Sequence, residues 1–346
     1  MFHLLILHSH SVAIMKEITQ VSSRSCRTAA LLITLPLLLA GCTSAVGENS
    51  KSSDKAEAQA SVKAPALVFA PPKIDSANNR PLPLDKYLVN PSQQSIIDKA
   101  YKKLVSTCMA RFGFEYKLST YQGQRDSDAP TTRVSGHYGH QNSKLMAKWG
   151  YHPEGGAPIN QSSSGTSIPK VTPNQKVAEL GTSDPKHNFG PGGQVIHGHT
   201  VPNHGCIGEA TKRLTGTVDG KLLDPQIAVN VNFKTMYEAR QDKRTKSVFA
   251  KWSLCMKDRG FNYKDPLAAI SDPEWQKSSN PTAHELKVAT TDAACRHKEN
   301  VVGIWYAVDY AYEEQALAAN AAAMAKVKAN LESKVRIATQ LMANNG

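Results

Sequence analysis

The chain is predicted to fold as a mainly α-helical domain with small β segments, built from two related halves, tied by disulfides and ending in a long helix. Three observations predict this. First, Ser106-Thr-Cys108-Met109-Ala-Arg-Phe-Gly113-Phe114-Glu-Tyr116-Lys117 reappears as Ser253-Leu-Cys255-Met256-Lys-Asp-Arg-Gly260-Phe261-Asn-Tyr263-Lys264, with seven of 12 positions identical, and an internal repeat means one structural unit used twice. Second, long stretches place apolar residues at helical spacing behind recognisable start signals. Third, each copy of the repeat is followed by a second cysteine, Cys206 in one half and Cys295 in the other.

The first helix opens at Pro91-Ser92 and carries Ile96, Ile97, Ala100, Leu104, Cys108 and Met109 on one face. Gly113 ends it as a glycine in the left-handed conformation does, and Phe114-Glu115-Tyr116 alternates like a short strand. Residues 120–200 are poor in apolar residues. Within them Ser143–Trp149 reads as a short helix and 153–194 as a long, irregular, mobile segment. Gly208–Leu214 reads as helix. Asp224-Pro225 caps another, continuous or interrupted, that runs to Arg259. Thr282 begins the last helical stretch, which includes Cys295. From Val301 to Leu341 a helical face persists for around 40 residues, a length of about 60 Å, expected to pack along the body and then project, or to pair with another helix. The halves are placed at about 92–215 and 225–346. Met109 and Met256 are expected in the core, where thioethers fill irregular gaps, and Trp252 and Trp305 as packing anchors.

The N-terminus has its own grammar. Lys16, Arg24 and Arg27 precede the apolar run Ala29–Leu39, which leads into Leu39-Ala40-Gly41-Cys42. This resembles the lipobox of bacterial lipoproteins, in which a peptidase cuts before a cysteine that carries diacylglycerol. The resemblance implies a signal peptide over 1–41, lipidation of Cys42, and a location on the outer face of the cell membrane. An apolar core of about 11 residues is too short for a membrane helix, which needs roughly 20. Residues 1–14 hold no Lys or Arg, so Met15 is the expected start. Residues 42–66, rich in Ser, Ala, Lys and Glu, read as a lipidated N-terminus and flexible linker, and 67–346 as the ectodomain.

Of the six cysteines, Cys26 leaves with the signal peptide and Cys42 is acylated. Cys108, Cys206, Cys255 and Cys295 remain, an even number in an oxidising compartment, which implies two disulfides. Three pairings are possible; the symmetry of the repeat selects Cys108–Cys206 and Cys255–Cys295. The formal charge of +12 falls to about +10 without the leader. Basic surfaces attract phospholipid headgroups, wall polymers and nucleic acid, but here the basic residues are scattered and first read as solubility and loose adhesion to an anionic envelope. Arg240, Lys243, Arg244 and Lys246 are the densest group. No aromatic ladder accompanies them, so nucleic acid is not an expected partner.

Pro81-Leu-Pro-Leu-Asp85-Lys-Tyr87-Leu, the doubled Cys-Met…Gly-Phe-x-Tyr, Gly150-Tyr151-His152, Gly205-Cys206-Ile-Gly208-Glu209-Ala210 and the Trp305-bearing helix together resemble a group of actinobacterial lipoproteins over roughly residues 80–345. That group brings no activity with it, so the resemblance speaks to location and disulfides only.

Two chemistries compete with a binding or structural role. His197-Gly198 followed by His204-Gly205-Cys206 resembles the signature of L,D-transpeptidases, which would make Cys206 a nucleophile with His204 or His197 as its base. The spacing is wrong, because only five residues separate Gly198 from His204 where the family has a much longer gap. Gly208 stands where the family has Arg, and the upstream strands of that β-rich fold are missing. A free Cys206 would also leave three cysteines, an odd number. The second chemistry is a metal site of His197, His199 and His204, since His-x-His on a strand points both rings to one side and imidazoles suit zinc or copper. His137, His140, His152 and His187 precede them. The simpler reading is a solvated loop, and no metal or other cofactor is expected. Asp292, Glu299 and Asp309 are too far apart in sequence for an acid/base pair, and no phosphate-cradling glycine loop or dinucleotide fingerprint appears. The expected function is therefore binding or structural work at the envelope, in contact with the membrane through the anchor and with an anionic wall polymer or an envelope protein.

Overall fold

The computed structural model describes residues 63–116, 137–156, 171–222 and 224–343. The expected signal segment, the lipobox-like Leu39–Cys42 and nearly all of the expected linker lie outside the described residues. Within them the helices are α1 (Pro91–Arg111), α2 (Ser143–Trp149), α3 (Pro173–Leu180), α4 (Gly205–Thr215), α5 (Gln226–Gln241), α6 (Lys243–Lys257), α7 (Pro266–Ile270), α8 (Ala283–Glu299), α9 (Val301–Ala319) and α10 (Ala321–Ala343). Two 3-10 turns, Pro83–Tyr87 and Pro273–Lys277, and one hairpin of β1 (Val195–Ile196) and β2 (His199–Thr200) complete the set. The hairpin is antiparallel, with Val195 opposite Thr200 and Ile196 opposite His199. The fold is mainly helical, with small β pieces and two disulfides.

The repeat has a physical meaning. In α1 the Phe114 amide donates to the Met109 carbonyl (3.1 Å) and the Gly113 amide to Ala110 (3.0 Å). In α6 the Phe261 amide donates to Met256 (3.0 Å) and the Gly260 amide to Lys257 (2.9 Å). This is the same Schellman closure twice, and it requires a left-handed residue at its turn. Gly113 has φ +76° and Gly260 φ +87°. The motif also brings its flanking apolar residues together, Met109 with Phe114 and Met256 with Phe261. One turn earlier the cysteine faces inward: Cys108 bonds to Cys206 on α4 and Cys255 to Cys295 on α8, the pairs that the repeat symmetry selects.

Each half builds a core on this unit. Val105, Met109, Phe112, Ala178, Ile196 and Ala210 surround the first disulfide. Trp252, Met256, Val288, Val302 and Trp305 surround the second. Met109, Met256, Trp252 and Trp305 are fully buried. Phe249 meets the Trp305 ring edge-on at 4.9 Å and Tyr138 does so at 5.0 Å, a favoured aromatic geometry. The halves are not separate in space. Tyr138, Met146 and Tyr151 lie between Cys108 and Cys206 in sequence, yet they pack in the second core. At the other end α10 packs along α1 and α4, with Lys103 Nζ donating to the Leu341 carbonyl (2.7 Å).

The structure decides between forms that the sequence reading left open, and departs from that reading elsewhere. The helix from Asp224-Pro225 is broken at Asp242, which takes up an extended conformation and whose carboxylate accepts from the Arg244 amide (2.8 Å) to start α6. The 40-residue C-terminal helix is two helices, interrupted at Asn320 (φ −118°, ψ 20°). Beyond the break α10 packs along α1, which is the pairing with another helix that the sequence reading allowed. α4 starts at Gly205 rather than Gly208, and α3 occupies part of the stretch read as irregular. Phe114–Tyr116 is irregular backbone rather than a strand; among the described residues no strand pairs with it, and an isolated extended segment is not stable by itself.

Closing loops of 98 and 40 residues restricts the unfolded chain, so replacing both cysteines of either bond by Ala is expected to cost about 4–5 kcal/mol. Urea denaturation of each double variant against wild type measures it.

Candidate functional site

The residues singled out around Cys206 do not converge on a reacting centre. Cys206 is fully buried and its sulfur is committed to Cys108, so it presents no thiolate. His197 sits in the hairpin turn with φ +49°, followed by Gly198 at +81°, and His199 lies on β2. The expected His-x-His on a single strand is therefore a turn residue and a strand residue. His197 Nδ1 faces the Phe112 carbonyl (2.8 Å); a carbonyl only accepts, so this nitrogen donates and fastens the hairpin to the end of α1. The His199 ring meets Phe112 edge-on at 6.1 Å. His204, at φ +60° before α4, stacks on Phe189 at 5.1 Å and lies 3.5 Å from Asp219. His197 and His199 both meet Phe112, one at its carbonyl and the other at its ring, while His204 meets Phe189 and Asp219. Among the described residues no three His, Cys, Asp or Glu side chains gather closely enough to hold a metal ion.

What the fold does assemble lies on α8. Asp292, fully buried, accepts from Trp252 Nε1 (2.8 Å), Tyr151 OH (3.0 Å) and Arg296 Nε (2.7 Å). Arg296 also donates to the Tyr138 carbonyl (2.7 Å). About two turns before Asp292 on the same helix, the equally buried Glu285 accepts from the Tyr151 amide (2.7 Å) and faces His152 Nδ1 (2.8 Å). His152 Nε2 faces the Ser278 carbonyl (2.8 Å). Both nitrogens of His152 thus meet acceptors, which calls for the imidazolium. Burial pulls its pKa down, but the bonds to Ser278 and Glu285 outweigh that and hold it above the ordinary histidine value. Two cations, Arg296 and His152, balance two carboxylates. Buried charges persist only under such pairing.

This network supports a cavity of about 370 Å³ between α8 and the segment from Asp75 and His140 to Met146. Ala293, Ala294 and Met146 give it an apolar wall; His140, Gln141 and Arg296 give it polar ones. At the rim His297 Nδ1 pairs with Asp75 (2.9 Å). Burial, aided by the nearby Arg296 charge, lowers the pKa of His140, so its ring is neutral near pH 7. Its Nε2 faces the Tyr151 carbonyl (3.1 Å) and carries the hydrogen, which leaves Nδ1 as an acceptor. Apolar wall plus a few fixed polar groups is the makeup of a small-ligand site.

Comparison with family models, with characterised proteins and with solved structures finds no match for this chain.

Sequence reasoning reached part of this site. It named His140, His152 and Asp292, but not Glu285 or Arg296. Asp292 and Arg296 carry a readable signal, an i,i+4 acid–base pair on one helix. His152 and Glu285 stand 133 residues apart, and no local pattern joins them.

A histidine whose pKa is raised on folding contributes stability that is complete below its unfolded value near 6.5 and lost as pH rises through the folded value. His152→Gln is therefore expected to cost roughly 1.5–3 kcal/mol at pH 5.5 and progressively less toward pH 8.5. Denaturant titrations of both proteins across that range check it; a penalty independent of pH would show that His152 is not charged in the fold.

Proposed function

We propose that this chain is a lipid-anchored, extracytoplasmic protein of the cell envelope that binds a small polar ligand in the cavity on α8. The observation that carries the binding reading is the cavity itself, floored by a charge-balanced network that holds Arg296 in place and supports neutral His140 at the wall. Rigid support of this kind is what a binding site requires. The anchored location rests on Leu39-Ala40-Gly41-Cys42 and on two disulfides, which suit an oxidising compartment. Among the described residues no helix is long and apolar enough to cross a membrane, which accords with attachment through Cys42. The transpeptidase reading loses support because its nucleophile is bonded and buried.

Cys42→Ser is expected to abolish incorporation of labelled palmitate and to leave the signal segment uncut, a mass difference that a blot reads; retention of label in the variant would remove the anchor from this proposal. For the cavity, thermal unfolding in the presence of a panel of amino acids and short-chain carboxylates is expected to yield a stabilising compound. At a hundredfold excess over Kd the gain is about 2.7 kcal/mol. Ala294→Trp, at an exposed cavity position, should eliminate that gain without lowering the stability of the free protein. An equal gain in the variant would place the ligand elsewhere.

A further inference from the structure

The densest basic group in the sequence separates into two kinds of residue in the fold. Arg244 is neutralised: its Nε and Nη2 fork onto Asp242 at 2.8 and 2.7 Å. Arg240 and Lys246 are not. With Lys264 they line a cleft of about 660 Å³ between the end of α5, the first turns of α6 and the segment around α7. Among the described residues none of these three cations forms an ion pair. Two carboxylates share the cleft, and both are engaged. Asp265 accepts from the Ala268 amide (2.8 Å) and caps α7, and Asp272 accepts from Tyr263 OH (2.8 Å) and the Glu274 amide (2.9 Å). Three positive charges thus stand against two negative ones.

Arg240 is the most informative of the three. It is half-buried, and its Nε is buried without an acceptor. Burial disfavours its charge, which Asp309 and Asp265 only partly compensate. A guanidinium withdrawn from water with an unmet donor is costly, and an anion entering the cleft relieves that cost. We propose that this cleft binds a phosphate group, held by Arg240, Lys246 and Lys264. The three come from three different segments of the chain and line the same cleft. A tetrahedral phosphate offers oxygens to all of them, and a guanidinium fork matches two of those oxygens at once. Phe249, Leu267 and Ala268 form the apolar part of the cleft, suited to the carbon portion of a phosphate ester. The same ester occurs in a phospholipid headgroup and in a soluble or polymer-borne glycerol phosphate. This site is separate from the α8 cavity and does not depend on it.

The test uses the mature chain that follows the signal segment, with Cys42→Ser, so that neither the apolar leader nor an acyl chain inserts by itself. Calorimetric titration with glycerol 1-phosphate at low ionic strength is expected to show saturable binding to one site. Lys246→Gln/Lys264→Gln, at two exposed positions, is expected to weaken it at least tenfold without altering thermal stability; Arg240→Lys, which keeps the charge but not the fork, should weaken it less. Co-sedimentation with phosphatidylglycerol vesicles and not with phosphatidylcholine vesicles would assign the phosphate to a lipid headgroup. Saturable glycerol phosphate binding without sedimentation would assign it to a soluble or polymer-borne ester. Equal binding by wild type and the double Lys variant, or an equal response to sodium acetate at matched ionic strength, overturns the proposal.

Discussion

The carboxylate of Asp292 is the point on which the second core turns. It collects Trp252 from α6, Tyr151 from the loop after α2 and Arg296 from its own helix. A charge taken out of water costs several kcal/mol unless paired and hydrogen-bonded, so each of those donors is held where the carboxylate needs it. Through Arg296 the constraint reaches the Tyr138 carbonyl, and through Tyr151 it reaches Glu285 and His152. The excursion between Cys108 and Cys206 is thereby drawn out of its own half and into the other. Aromatic packing then completes the joint, with Tyr138 and Phe249 around Trp305.

The repeated unit explains why the protein tolerates this exchange. Each copy is closed by its own Schellman turn and disulfide, so each half keeps a local scaffold while lending a segment to its partner. The C-terminal helix returns the exchange by packing on α1 and α4. The N-terminal strap adds further links: the Leu84 amide donates to Glu313 (2.8 Å), the Val89 amide to Asp224 (2.7 Å) and Tyr306 OH to the Pro81 carbonyl (2.9 Å). These joints tie together residues that are distant in sequence.

Charge is used in two ways in this chain. Inside, acids and bases are matched one to one around Asp292 and Glu285. Outside, the excess positive charge is not uniform, because Arg244 is spent on Asp242 while Arg240 keeps an unmet donor at a cleft wall. Composition alone cannot distinguish these cases, since both residues belong to the same cluster in the sequence. The distinction arises from the break at Asp242, which ends one helix, starts the next, and turns Arg244 toward its own cap.

The sequence by itself determined the helical class, the repeat, the disulfide pairs and the core positions of Met109, Met256, Trp252 and Trp305. These are local or symmetric features: helical spacing, a glycine that must be left-handed, and a cysteine one turn before it. It also carries Leu39-Ala40-Gly41-Cys42, the linear pattern on which the proposed anchor rests. Only the tertiary structure decided that His197, His199 and His204 part company, because the I-H-G-H turn puts His197 at positive φ and ties it to Phe112. Only the tertiary structure joined His152 to Glu285, and Tyr138 and Tyr151 to the second core, because buried charges choose partners by proximity in space. The breaks at Asp242 and Asn320 belong to the same class: apolar periodicity runs through both positions, and packing of α6 and α10 against the body settles where the chain must turn.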